Sequence, residues 1–158
     1  MTQNTSPVQI AHPPRAVLRV LNPTVRFLMR TPLGKPMRQW LILLRFTGRK
    51  SGRLLEVVIT AHRLDGELIV LTDGRWRVNF RGGRDLEWDY QGRTTAGRGV
   101  LVEEPHAVGE IYRRVISELG PKVASQRTPL KVNVPRVPTV DELAKLARTT
   151  GLSAVRLS

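Results

Sequence analysis

From Trp40 onward the apolar residues fall in short runs, each closed by a turn-forming group, and this spacing restricts the fold more than anything else in the chain. Trp40-Leu41-Ile42-Leu43-Leu44-Arg45-Phe46-Thr47 reads as one strand. Leu54 to His62, centred on Val57-Val58-Ile59, reads as a second. Leu64-Asp65-Gly66-Glu67 predicts a hairpin turn into a third, Leu68 to Thr72. Asp73-Gly74 breaks the pattern, and Trp76 to Asn79 reads as a short helix or an irregular segment. After a turn at Arg81-Gly82-Gly83-Arg84, Leu86 to Tyr90 alternates cleanly. It turns at Gln91-Gly92-Arg93 and returns through Thr94 to Glu103. These runs are strand-sized, too short to span a bilayer as a helix. Regular βαβ alternation is missing, so a parallel doubly wound sheet does not fit. The pattern predicts a mainly β protein with flanking helices (α+β), built on a small antiparallel barrel.

Helical patterns lie on both sides of the strands. Pro105 and His106 open a helix whose buried face is Val108, Ile111, Tyr112, Val115, Ile116 and Leu119, and Gly120-Pro121 ends it. Residues 121–139 hold four prolines and little periodicity. A short helix is expected from Val140 to Arg148, capped by Thr139, and a final strand at Val155-Arg156-Leu157. Residues 1–14 are polar and proline-bearing and are expected to form a mobile tail. From Ala16 to Arg30, apolar and basic residues interleave at helical spacing, interrupted near Asn22-Pro23, which predicts two short basic helical pieces. The expected organisation is a tail, 1–14, and one domain, 15–158.

Charge is unevenly spread. Lys and Arg total 26 against 13 acids, a formal net charge of +13. The first acid is Glu56, and Arg15, Arg19, Arg26, Arg30, Lys35, Arg38, Arg45, Arg49, Lys50 and Arg53 precede it. Such a field attracts polyanions: nucleic acid, anionic lipid or a phosphorylated cofactor. The absence of cysteine removes disulfides, thiolate catalysis and cysteine metal sites. His12, His62 and His106 are scattered without metal-ligand spacing, so no metal site is expected. The N-terminus lacks the apolar core of a signal peptide, and a cytoplasmic location is expected.

Two segments stand out for chemistry. In Thr47-Gly48-Arg49-Lys50-Ser51-Gly52-Arg53, two glycines bracket Arg49, Lys50 and Ser51, and Arg53 follows at once. A tight connection of this kind between two strands projects cations and backbone N–H groups at one point and suits an anion, above all a phosphate. It lacks Walker-loop spacing, and no helix follows it. The segment could equally be a hairpin loop with solvated cations. The second segment, Gly74 to Gly83, adds Trp76, Arg77, Val78 and Asn79. Trp76 could be core and Asn79 a local turn-maker. Together the two segments read as two ends of a site for an extended anionic, aromatic ligand.

Leu43 to Arg53, then Glu56-Val57-Val58-Ile59, a Gly-bounded hairpin, Trp76-Arg77-Val78-Asn79-Phe80-Arg81, and Gly92-Arg93 before a strand resemble the deazaflavin-dependent nitroreductase and quinone reductase family. The resemblance covers residues 17–120. It implies a split β-barrel of the flavin-reductase type, close to the pyridoxamine-phosphate-oxidase and FMN-binding barrels, with the N-terminal helix near the site. It implies binding of the reduced 8-hydroxy-5-deazaflavin coenzyme (factor 420). Arg49, Lys50, Ser51 and Gly52, with Arg53 beside them, match the family's phosphate-binding turn. Trp76, Arg77, Val78 and Asn79 match its second cofactor-proximal segment. The implied reaction is hydride transfer to a small electron acceptor, a quinone, nitroaromatic or activated alkene, with the cofactor carrying the chemistry and no catalytic side chain assigned. The chain departs from many relatives at Leu55, where a Thr-Pro-Leu run is usual nearby, at Phe80 after Asn79, and in the short Thr72–Arg75 loop.

Other readings stand beside this one. The same barrel could use FMN. A non-catalytic module for nucleic acid or anionic membrane would also exploit the basic N-terminal third. Aromatics at 5% and a single Phe27 in the basic segment weigh against nucleic acid. Residues 16–30 could bring the protein to a membrane surface, but a helix that simply covers the sheet is the favoured reading. Barrels of this type often form homodimers. His62 at a strand end and Tyr112 on a buried helix face receive no role.

Overall fold

The computed structural model describes residues 6–10, 17–19 and 39–158, with the backbone alone for 17–19. In chain order these form β1 (Val8–Ile10), β2 (Val17–Arg19), β3 (Leu41–Thr47), β4 (Leu54–Leu64) and β5 (Glu67–Thr72), then a 3-10 helix (Arg75–Phe80). Strands β6 (Arg84–Tyr90) and β7 (Arg93–Val102) follow, then α1 (Pro105–Leu119), α2 (Pro121–Arg127), β8 (Leu130–Val132), α3 (Val140–Thr150) and β9 (Ser153–Leu157).

Six strands close into an antiparallel barrel in the order β4-β3-β6-β7-β9-β5, and the β4–β5 pairing completes the circle. The fold is mainly β with flanking helices, as the strand spacing predicts. Two hairpins within it are two-residue turns. Asp65 and Gly66 (φ 52° and 81°) join β4 to β5, and Gln91 and Gly92 (φ 51° and 78°) join β6 to β7. Two successive positive φ values match the right-handed twist of the flanking strands, and glycine at the second position adopts one without steric cost. Strand alternation then sorts the side chains. Ile42, Leu44, Phe46, Val57, Ile59, Val70, Trp88, Val155 and Leu157 belong to one buried cluster inside the barrel. Ile69, Leu71 and Ala154 face outward into a second cluster. There they meet Val108, Ile111, Tyr112, Val115 and Ile116 of α1 and Leu143 and Ala147 of α3. The Tyr112 hydroxyl donates to the Ser153 carbonyl at 3.2 Å, tying α1 to β9.

Both main helices carry legible start signals. The Glu104 carboxylate accepts from the His106 and Ala107 amides at 3.0 and 2.7 Å, with Pro105 at the first helical position. Thr139 and Glu142 form a reciprocal capping box at α3. Gly151 ends α3 in the left-handed conformation.

The structure departs from the sequence reading in three places. Val17–Arg19 lies in the segment expected to be helical and instead forms β2, antiparallel to Val57–Ile59 of β4. The free edge of β4 ahead of its β5 pairing supplies ladder hydrogen bonds that outweigh local helical spacing. Within the stretch expected to be a tail, Val8–Ile10 pairs with β8 and Val8 is buried in the α1 cluster. The proline-rich stretch 121–139 contains α2 and β8. Pro121 sits at the first position of α2, where its missing N–H costs nothing, and a helix of seven residues is too short to print a clear period. The final strand expected at Val155-Arg156-Leu157 is present as β9, an interior member of the barrel between β5 and β7. The rest of the expected basic helical region, including its second piece, lies outside the described residues.

Candidate anion-binding site at one end of the barrel

The β3–β4 connection is closed by its own backbone. Gly48 N–H donates to the Arg53 carbonyl at 2.8 Å, Gly52 N–H to the Gly48 carbonyl at 3.0 Å, and Arg53 N–H to Ser51 Oγ at 3.2 Å. Gly52 takes φ 65°, which lets the chain double back. Gly48 is buried at the base, while Arg49, Lys50, Ser51, Gly52 and Arg53 are exposed. Leu54, which follows, is 65% exposed.

The 3-10 helix docks against this turn through Asn79. Its Oδ1 accepts the Arg49 backbone N–H at 2.8 Å, and its Nδ2 donates to the Trp76 carbonyl at 2.8 Å. The Arg49 guanidinium donates to the Arg81 carbonyl at 2.5 Å, just beyond the helix. The two segments singled out in the sequence are therefore one structural unit at one end of the barrel. Trp76 turns inward and packs with Phe46 and Phe80, with centroid separations of 6.0 Å to each, while Phe46 and Phe80 lie 4.8 Å apart. Its indole Nε1 is buried without an acceptor. Arg77 donates from Nη1 to the Asp73 and Gly74 carbonyls, both at 2.9 Å, so its charge is spent closing the β5 exit. Val78 is exposed. Thus Arg49, Lys50, Ser51, Gly52, Arg53 and Val78 face solvent, Trp76 and Asn79 are buried supports, and Arg77 is partly buried.

Electrostatics separates these cations from their neighbours. Arg45 is bidentate to Asp89 at 2.6 and 2.8 Å. Arg81 pairs with Glu103 at 3.0 Å. Among the described residues no carboxylate pairs with Lys50 or Arg53. Lys50 and Arg53, with Arg49 tethered to the Arg81 carbonyl beside them, therefore project from a six-residue turn whose shape is fixed by the Gly48–Arg53 closure and by Asn79. The support from Arg81 and Glu103 is not legible in the sequence, since no spacing rule links Arg49 to a carbonyl more than one strand away.

Among the described residues no cluster of His, Asp or Glu could hold a metal ion, and no helix is long and apolar enough to cross a membrane. No protein-family model matches the sequence, and no curated protein matches it.

Proposed function

We propose that the chain is an oxidoreductase that binds a reduced deazaflavin coenzyme and delivers its hydride to a quinone, nitroaromatic or activated alkene. The observation that carries this reading is the Asn79 clamp, which joins the Gly48–Arg53 turn to the Trp76–Asn79 segment. A closed antiparallel barrel supports it as a scaffold.

The donor set suits the anionic part of such a coenzyme. Lys50, Arg53 and the Arg49 guanidinium would hold a phosphate, with Ser51 Oγ and the turn amides as further donors. Leu54 and Val78 offer exposed apolar surface beside the cations for a flat ring. The bound coenzyme would supply the hydride. The protein's part is to present the cations from one point, and the turn's backbone is closed in advance. Asn79 and Trp76 act as positioning residues in this reading.

Calorimetric titration at low salt tests it. The full-length chain is expected to bind the deazaflavin coenzyme and to prefer it to FMN. Lys50→Ala should weaken binding about tenfold through loss of a charge-assisted contact. Absence of coenzyme binding by the folded protein would sink the proposal, and tighter binding of FMN would move it to a flavin enzyme.

A further inference from the structure

Among the described residues, the far end of the barrel, away from the Gly48–Arg53 turn, is open. A cleft of about 550 Å³ lies there, lined by Arg63, Leu68, Trp88, Tyr90, Arg93 and Leu157 among others. Strand register explains its composition. Leu68, Trp88 and Leu157 are the last buried interior positions of β5, β6 and β9. Tyr90 and Arg93, directly paired across the β6–β7 hairpin, come next on the same face. Arg63 follows Ala61 at the interior spacing of β4, and its guanidinium stands over the Tyr90 ring at 6.0 Å from the centroid. The floor is therefore apolar and the rim is aromatic and cationic.

The acids that could neutralise this rim are committed elsewhere. Asp65 pairs with Arg114 at 2.8 Å, Glu67 lies 3.8 Å from Arg156, and Asp89 binds Arg45. Among the described residues neither Arg63 nor Arg93 has a carboxylate partner, and Arg63 has only a long 3.4 Å contact to the Gly66 carbonyl. Two unneutralised guanidiniums above an indole and two leucines match one kind of ligand. Its flat apolar body would rest on the floor, and its single anionic group would be held at the rim.

We infer that the open barrel mouth is a binding site for a small aromatic carboxylate, held between Arg63 and Arg93 over Trp88. This site shares no residue with the turn, so it stands or falls separately from the coenzyme reading.

The test is an NMR titration of the full-length chain with 2-naphthoate, with uncharged 2-naphthylmethanol as the comparison. Saturable shifts are expected at the Trp88 indole N–H and the Arg93 and Gly66 amides. Binding of the carboxylate should be at least about tenfold tighter than that of the alcohol, and Arg93→Gln or Arg63→Gln should remove most of that preference. Both arginines are exposed, so the dispersion of each variant's own spectrum reports that it is folded. Equal binding of acid and alcohol, shifts confined to the Gly48–Arg53 turn, or no saturable shift would each overturn the inference.

Discussion

Replacing Asn79 with alanine removes the hydrogen bond that holds the 3-10 helix to the Arg49 amide of the β3–β4 turn, and the one that Asn79 makes within the helix to the Trp76 carbonyl. The two bonds differ in cost. The Arg49 N–H lies on an exposed residue, where water can take over, so its loss costs about 0.5–1 kcal/mol. The Nδ2 bond to the Trp76 carbonyl is buried, and its loss costs about 1–2 kcal/mol. A total of about 1.5–3 kcal/mol follows, readable as a drop of roughly 1 M in the urea midpoint at unchanged slope. Hydrogen exchange at the Arg49 amide should accelerate in the same variant. Asn79→Asp separates the two bonds, because a carboxylate still accepts from Arg49 but cannot donate to Trp76. It should keep the Arg49 amide protected while still losing stability. If Asn79→Ala costs less than about 0.5 kcal/mol and leaves Arg49 exchange unchanged, Asn79 is not the clamp described and the 3-10 helix is held by other contacts.

Three further outcomes can be measured. Burial holds His62 neutral, lowering its pKa from 6.5 to about 4, with backbone hydrogen bonding to Arg127 opposing this weakly. The unfolded chain therefore takes the proton first, and stability should fall as pH drops from 6.5 toward 4. This loss is at most on the order of 3 kcal/mol, and His62→Gln should abolish it in pH-dependent urea melts. At Gly99 an added Cβ would lie 2.7 Å from the Phe80 ring and 3.3 Å from Val155. Gly99→Ala should cost about 1–3 kcal/mol by overpacking, read from thermal unfolding. Arg136 and the Thr139 amide hold the Glu142 carboxyl down to about 2, so its contribution is present above 4.5 and lost as pH falls toward 2. The pair is solvent-accessible and contributes less than about 1 kcal/mol; Glu142→Gln should flatten the acid limb of the stability curve by that amount.

The barrel was legible because its strands obey period-two patterning and its hairpins carry glycine where φ is positive, as at Gly66 and Gly92. The helices α1 and α3 were legible from apolar spacing and caps. Short elements were not. The β1–β8 pair is three residues on each side, and its pairing is a tertiary fact that neither segment announces. The turn at Gly48–Arg53 showed its cations plainly, and the structure adds how they are sorted. Asn79 was visible as a polar residue near the motif, but its role as a clamp depends on a contact with Arg49 that sequence spacing does not encode. The barrel-mouth pair was not legible because Arg63 sits in an ordinary strand pattern and Arg93 reads as part of the Gln91-Gly92-Arg93 turn. Only closure brings them to one rim.

The place of β9 governs the order in which this barrel can assemble. From β3 to β7 the strands form largely through neighbouring hairpins, whose loops close quickly. The last staves to meet are β5 and β7, and each meets β9, with Thr72 paired to Ser153 and Gly99 to Leu157. Until the three helices have folded and delivered β9, the half-built barrel is an open sheet with two bare edges. Those edges are the surfaces on which two such intermediates would stick together. Yield on refolding should therefore depend on chain concentration, and the vulnerable moment is the wait for a single five-residue strand.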